Sequence, residues 1–163
     1  MAQNPNYIAA LEDPQYQEER RHIRSTRSTD AWQAQFNALS PSHPKATIPE
    51  WVRFAKRKKQ SFRCFVLGWR ESDWMLNRQS GEIKQVGTLT VDHTIAAANG
   101  GLTTDANTKM IASVANSKKG SKPKTYEELR EHLLNIYELY VPNFDELMAI
   151  RSLRAKGCKK LIL

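Results

Sequence analysis

The sequence predicts an α+β protein, with a small strand-and-helix core set between an N-terminal helical arm and C-terminal helices. Three observations carry this. Residues 61–93 are rich in aromatic and β-branched residues and are broken by a turn-forming stretch, Arg78-Gln79-Ser80-Gly81. Residues 125–157 place apolar residues three and four apart behind two capping signals. Residues 1–45 are polar and punctuated by Pro5 and Pro14, an arm and linker without a core of their own. The expected division is therefore 1–45 for the arm and linker, 46–124 for a core with a preceding basic helix, and 125–163 for a helical region.

Taken in order, Pro14 sits well in the first turn of a helix through Arg24, and Asp30 can cap a second through Leu39. Ser40-Pro41-Ser42-His43-Pro44 reads as a linker. A short helix follows from about Ile48 to Gln60, with Thr47 as cap and Pro49 in its first turn. Trp51, Phe54 and Ala55 give it an apolar side, and Arg53 with Lys56, Arg57, Lys58 and Lys59 makes the rest basic. Phe62 to Leu67 reads as a strand, and Trp74-Met75-Leu76 and Glu82 to Val86 read as a hairpin. Thr88-Leu89-Thr90-Val91 alternates as a half-buried strand does and runs into Asp92-His93. Thr125 and Glu128 form a capping box ahead of Tyr126, Leu129, Leu133, Ile136, Tyr137 and Tyr140, a helix that Pro142 is expected to stop. Asn143 and Glu146 cap the next helix, which carries Leu147, Ile150 and Leu153 and ends near Gly157.

Composition narrows the class of function. In 163 residues, 40% are hydrophobic and 26% charged, a globular balance, and 25 Lys and Arg against 17 Asp and Glu leave a net charge of +8. Such an excess favours polyanions, nucleic acid first among them. No apolar run approaches the roughly 20 residues of a membrane helix. Met1 to Leu11 lacks the features of a signal peptide, so a cytoplasmic protein without a membrane partner is expected. Cys64 and Cys158 are too few for a disulfide framework or a cysteine-built zinc site.

Chemistry concentrates between Val91 and Lys122. A strand delivers Asp92 and His93 at its end, and Asn99-Gly100-Gly101 forms a mobile turn after them. Asn107 opens a short apolar stretch at Met110-Ile111, and Asn116, Lys118 and Lys119 follow in a helix that stops at Gly120. Between Ala106 and Tyr126 there are lysines and no acidic residue. Phosphodiester hydrolysis needs a base for water and positive charge at the phosphoryl and leaving oxygens. Histidine is the natural base near neutral pH, one carboxylate with one amide oxygen suits Mg²⁺, and lysines hold phosphate.

Asp92-His93, Gly100-Gly101, Asp105-Ala106-Asn107 and Asn116-Ser117-Lys118-Lys119-Gly120 together resemble the ββα-metal core of the HNH (His-Me finger) nucleases, over about a fifth of the chain. The resemblance implies a Mg²⁺- or Mn²⁺-dependent endonuclease acting on double-stranded DNA and leaving 3′-hydroxyl and 5′-phosphate ends. It implies His93 as general base, Asp92 and Asn116 as metal ligands, the last in a slot where many relatives carry His. It makes Asn107 a brace for the loop that orients His93, and Lys119 a contact to the scissile phosphate, with Lys122 as a further candidate. Lys118 and the run Lys56, Arg57, Lys58 and Lys59 are the other expected DNA contacts. Thr94 and Ala96 stand where the family often has an apolar residue and proline, and the family's paired Cys-x-x-Cys knuckles are absent, so no structural zinc is expected. Trp69, Trp74 and the 62–67 strand would supply that rigidity by packing. A site-specific enzyme of homing or restriction type, encoded by a phage or mobile element, is the expected setting. One site cuts one strand, so a double-strand break calls for a homodimer or two successive nicks. The competing reading is a DNA-binding module that keeps the fold without turnover. Cations at the end of the last helix, Arg151, Arg154, Lys156, Lys159 and Lys160, are read as partners of the helix dipole.

Overall fold

The computed structural model describes residues 5–22, 48, 50–96, 99–120 and 124–162. The expected helix from Asp30 to Leu39, the linker at 40–44, the Thr47 cap with Pro49, and Lys122 lie outside the described residues. The elements are α1 (Pro5–Glu12), α2 (Pro14–His22), α3 (Glu50–Lys59), β1 (Trp74–Asn77), β2 (Glu82–Gln85), β3 (Thr90–His93), β4 (Thr108–Ile111), α4 (Ser113–Lys119), α5 (Tyr126–Ile136), β5 (Tyr137–Tyr140), α6 (Phe144–Ala155) and β6 (Leu161–Ile162). This is a mixture of helix and antiparallel sheet, and no helix among the described residues is long and apolar enough to cross a membrane. The chain divides into two compact units, residues 1–61 with 91–110, and residues 62–90 with 111–163. Both are discontinuous in sequence, so neither coincides with one of the three consecutive segments expected from composition.

In the first unit, α1 precedes the helix that Pro14 opens, an element the sequence did not announce. Asp13 separates the two, and its Oδ1 accepts from the Gln15 amide at 2.9 Å, the capping geometry that lets α2 start at Pro14. Tyr16 of α2 is buried against Phe54 of α3, with ring centroids 5.1 Å apart. α3 buries Trp51, Phe54 and Arg57, a stripe with a period of three. An arginine can join that stripe because Glu19 takes both ends of its guanidinium, at 2.8 and 3.0 Å.

In the second unit, four antiparallel strands lie in the order β5-β1-β2-β6. The β1–β2 turn forms because Asn77 Oδ1 accepts from the Gln79 and Ser80 amides and Gly81 takes a positive φ of 72°. α6 covers this sheet, and Ile150 packs with Trp74, Ile83 and Leu161. Both expected N-caps are present: Thr125 accepts from the Glu128 amide and Asn143 from the Glu146 amide.

Two expectations are corrected. The helix beginning at Tyr126 ends at Ile136, not at Pro142, and Tyr137–Tyr140 is a strand paired with β1, Trp74 facing Tyr140 and Asn77 facing Tyr137. Tyr-Glu-Leu-Tyr suits an edge strand as well as a helix, and the open edge of β1 decides between them. Phe62 to Leu67 is not a strand. Ser61 and Phe62 have φ near +54° and +55°, and Gly68 N donates to Cys64 O at 2.7 Å, so the backbone turns where a strand would extend. An isolated antiparallel bridge joins Arg63 to Arg70. Cys64 is buried, and its Sγ accepts from the Leu67 amide at 3.4 Å and the Ala112 amide at 3.2 Å.

Candidate active site

β3 and β4 form a separate two-stranded sheet, and the loop joining them includes Gly100, Gly101 and Asn107, which the sequence singled out. Alternation along β3 buries Asp92 at 5% exposure and leaves His93 half-buried. His93 Nε2 lies 2.9 Å from the hydroxyl of Thr103, a residue only 3% exposed. That contact fixes the plane of the imidazole. A hydroxyl can both donate and accept, so it serves either tautomer.

Asn107 closes the loop at its base. Its Oδ1 accepts from the Ile95 amide at 2.8 Å, and its Nδ2 donates to Ile95 O at 3.1 Å and Leu102 O at 2.8 Å. Its own carbonyl accepts from the Thr94 amide at 2.8 Å, next to His93. Its amide donates to Thr104 Oγ1 at 3.1 Å. One side chain thus replaces the ladder that the strands can no longer supply once the chain leaves them. The glycine pair divides its labour. Gly100 takes a positive φ of 84° in open space, whereas Gly101 is buried, and a Cβ there would lie 1.7 Å from Ile95 O. The loop is therefore close-packed at Gly101, where the sequence suggested only a mobile turn.

α3 belongs to the same unit and holds the loop from the other side. Gln60 makes a paired contact with the Met110 backbone, donating to its carbonyl at 2.8 Å and accepting from its amide at 3.0 Å. Lys56 Nζ donates to Asp105 Oδ1 at 2.5 Å, which holds the Asp105 carboxyl below the ordinary carboxylate range. Lys58 is paired with Asp13, whose carboxyl is lowered in the same way. Of the basic run expected to meet DNA, Lys56, Arg57 and Lys58 thus carry ion pairs within the protein, Arg57 is buried, and Lys59 is exposed.

The remaining predicted residues sit in the second unit, on α4. Asn116 Nδ2 donates to Thr90 Oγ1 at 3.1 Å. Thr90 begins the strand that ends at Asp92-His93, and its hydroxyl donates to Ile111 O at 3.2 Å. Lys118 is exposed in the last turn of α4. Lys119 is buried, with its ammonium 5.8 Å from the centroid of the Tyr126 ring. Thr103, Thr90 and Gln60 were not singled out by sequence. The one available signal was the Thr103-Thr104 pair between the glycines and Asn107, hydroxyls placed where a loop needs internal partners.

Asp92 and Asn116 lie in different units, and each by its own chemistry is an oxygen donor of the type a hard cation takes. A carboxylate on Asp92 and an amide oxygen on Asn116 are the ligand types Mg²⁺ accepts while it keeps most of its waters. Among the described residues no three His, Cys, Asp or Glu side chains gather as a metal-holding group. Comparison with family models, with curated proteins and with solved structures gives no match.

Proposed function

We propose that this chain is a divalent-metal-dependent DNA endonuclease with an HNH-type ββα-metal core. The observation that carries the reading is the end of β3, where His93 is held by a buried hydroxyl at the mouth of a loop that Asn107 closes. A general base must first be held within hydrogen-bond reach of the proton it removes. Thr103 supplies the first contact to the His93 ring, and Asn107 fixes the backbone on which the ring is mounted. His93 takes the proton of water, which attacks phosphorus in line, and the products are a 3′-hydroxyl and a 5′-phosphate. Asp92 and Asn116 are the proposed ligands of Mg²⁺ or Mn²⁺, whose charge would offset that developing on the phosphoryl and leaving oxygens. Lys119 is the proposed electrostatic partner of the phosphate.

The test is cleavage of supercoiled plasmid with Mg²⁺ or EDTA, by the wild type and by His93→Ala, with DNA binding measured in parallel. Metal-dependent nicking that is lost in His93→Ala while binding persists is the expected result. A His93→Ala protein that cuts at the wild-type rate overturns the mechanism. Binding without cleavage by the wild type, on DNA that includes its natural target, identifies a binding module instead.

A further inference from the structure

We infer that the segment from Arg151 to Lys160, rather than the basic run of α3, is the surface that grips the phosphate backbone of duplex DNA. The inference rests on the proposed DNA substrate and deepens it. The argument is a comparison of two basic stretches. In the α3 run three of the four charges are engaged: Arg57 is bonded at both ends to Glu19, Lys56 to Asp105 and Lys58 to Asp13, whereas Lys59 is exposed. Between Arg151 and Lys160 every residue is exposed, and the sequence contains no acidic residue after Glu146. Among the described residues, no ion pair is made by Arg151, Arg154, Lys156, Lys159 or Lys160. Glu82 on β2 and Glu146 in the first turn of α6 pair with none of them.

The helix dipole does not account for this cluster. Its influence is confined to the last turn, where Arg154 and the C-cap Lys156 sit. Arg154 has further partners, stacking its guanidinium 4.8 Å from the Trp74 ring and donating to Gln85 Oε1 at 3.0 Å. Arg151 lies earlier in the helix, and Lys159 and Lys160 lie beyond it, and none of the three makes an ion pair among the described residues.

The cluster is also ordered in advance. Gly157, at φ +80°, ends α6 with its amide on Arg154 O at 2.9 Å and the Cys158 amide on Leu153 O at 3.0 Å, a Schellman closure. Directly after Lys160, Leu161 and Ile162 pair with Ile83 and Glu82 of β2. The intervening lysines are therefore held at both ends, and contact with a polyanion orders only their side chains. An anionic lipid surface is the alternative that the experiment separates, because α6 also exposes Phe144, Met148 and Leu153.

The experiment is equilibrium binding of duplex DNA between 50 and 200 mM salt, with EDTA to stop cleavage. It compares the wild type, the quadruple variant Arg151→Gln/Lys156→Gln/Lys159→Gln/Lys160→Gln, and Lys56→Gln/Lys58→Gln. Each phosphate contact contributes about 0.9 to the slope of log K against log[salt]. The quadruple variant should flatten the slope by roughly 3, and should lose more than tenfold in affinity at the lower salt. The α3 variant should change the slope by less than about 1. A quadruple variant that folds, as judged by its circular dichroism and thermal midpoint, and keeps the wild-type slope overturns the inference. So does a wild type that sediments with anionic vesicles and ignores duplex DNA. Plasmid nicking is read separately, so a protein that binds through this surface without cutting would refute the nuclease and leave the surface intact.

Discussion

Gly101→Ala is the substitution that the loop tolerates least. Its Cβ would stand 1.7 Å from Ile95 O, 2.5 Å from Ile95 C and 3.0 Å from Ala96 O, all of them backbone atoms. No rotamer change relieves such a clash, so the Ile95 carbonyl must retreat by more than an ångström. Ile95 O is the acceptor of Asn107 Nδ2 at 3.1 Å, and Ala96 O is the acceptor of the Gly101 amide at 3.0 Å. Losing both bonds costs about 1 kcal/mol each, and more where a donor stays buried without a partner, so the expected destabilisation is about 2–4 kcal/mol. Gly100→Ala is the control. Gly100 has a positive φ of 84° but nothing within 4 Å, so only the left-handed conformation is penalised, by about 1 kcal/mol. Equilibrium urea denaturation of the two variants measures both effects, and amide exchange at Thr94 and Ile95 localises them. A Gly101→Ala protein within about 0.5 kcal/mol of wild type, or one more stable than Gly100→Ala, would refute the reasoning.

Three further outcomes follow from the same unit. Arg57→Met should cost about 2–3 kcal/mol, below the full cost of breaking a buried pair because the Glu19 side chain is 30% exposed. Adding Glu19→Gln should recover part of that loss, and a double-variant cycle with coupling under about 0.5 kcal/mol would show the pair to be incidental. Thr103→Val should slow cleavage and alter the ¹⁵N shifts that report the His93 tautomer, whereas Thr103→Ser should keep both near wild type. Unchanged shifts in the valine variant would remove Thr103 from the site. Lys56 and Lys58 depress Asp105 and Asp13 below their ordinary value of 3.8, so the stability these pairs give is present above that pH. It is lost as pH falls through the lower, folded values. Acid denaturation of Lys56→Gln should therefore be shallower below about pH 4, and an identical pH profile would contradict the Asp105 assignment.

What could be read from the sequence was what depends on near neighbours. Thr125 with Glu128 and Asn143 with Glu146 are contacts between residues three apart, and both caps form. The 74–86 hairpin was legible because its turn residues carry their own chemistry in Asn77 and Gly81. Tyr137–Tyr140 was not, because a period of four satisfies a helix, and only the distant edge of β1 makes it a strand. The Phe62–Leu67 segment has strand composition, but the left-handed Ser61 and Phe62 turn the chain away, and nothing in their side chains signals it. At the site, Asp92, His93 and Asn107 stood out as types at a spacing. Thr103 is equally close to the chemistry, yet one threonine hydroxyl among several gives no pattern to notice.

The basic run of α3 shows why a charge pattern identifies a class of partner more readily than a surface. Its partners are 38, 45 and 49 residues away, for Arg57 with Glu19, Lys58 with Asp13 and Lys56 with Asp105. At such separations the sequence cannot reveal which cations the fold will neutralise. Yet internal pairing leaves the total charge unchanged. The net +8 must therefore be carried by other cations, and the acid-free stretch after Glu146, like that between Ala106 and Tyr126, is one place where the sequence leaves charge uncompensated. Of the four cations in the Lys56–Lys59 run, Arg57 and Lys58 tie α2 and Asp13 to α3, and Lys56 ties the loop at Asp105 to it, which is a reason for their presence that needs no ligand. No ion pair of that kind is made by Lys159 or Lys160 among the described residues, and the proposed binding face rests on that asymmetry rather than on the density of charge.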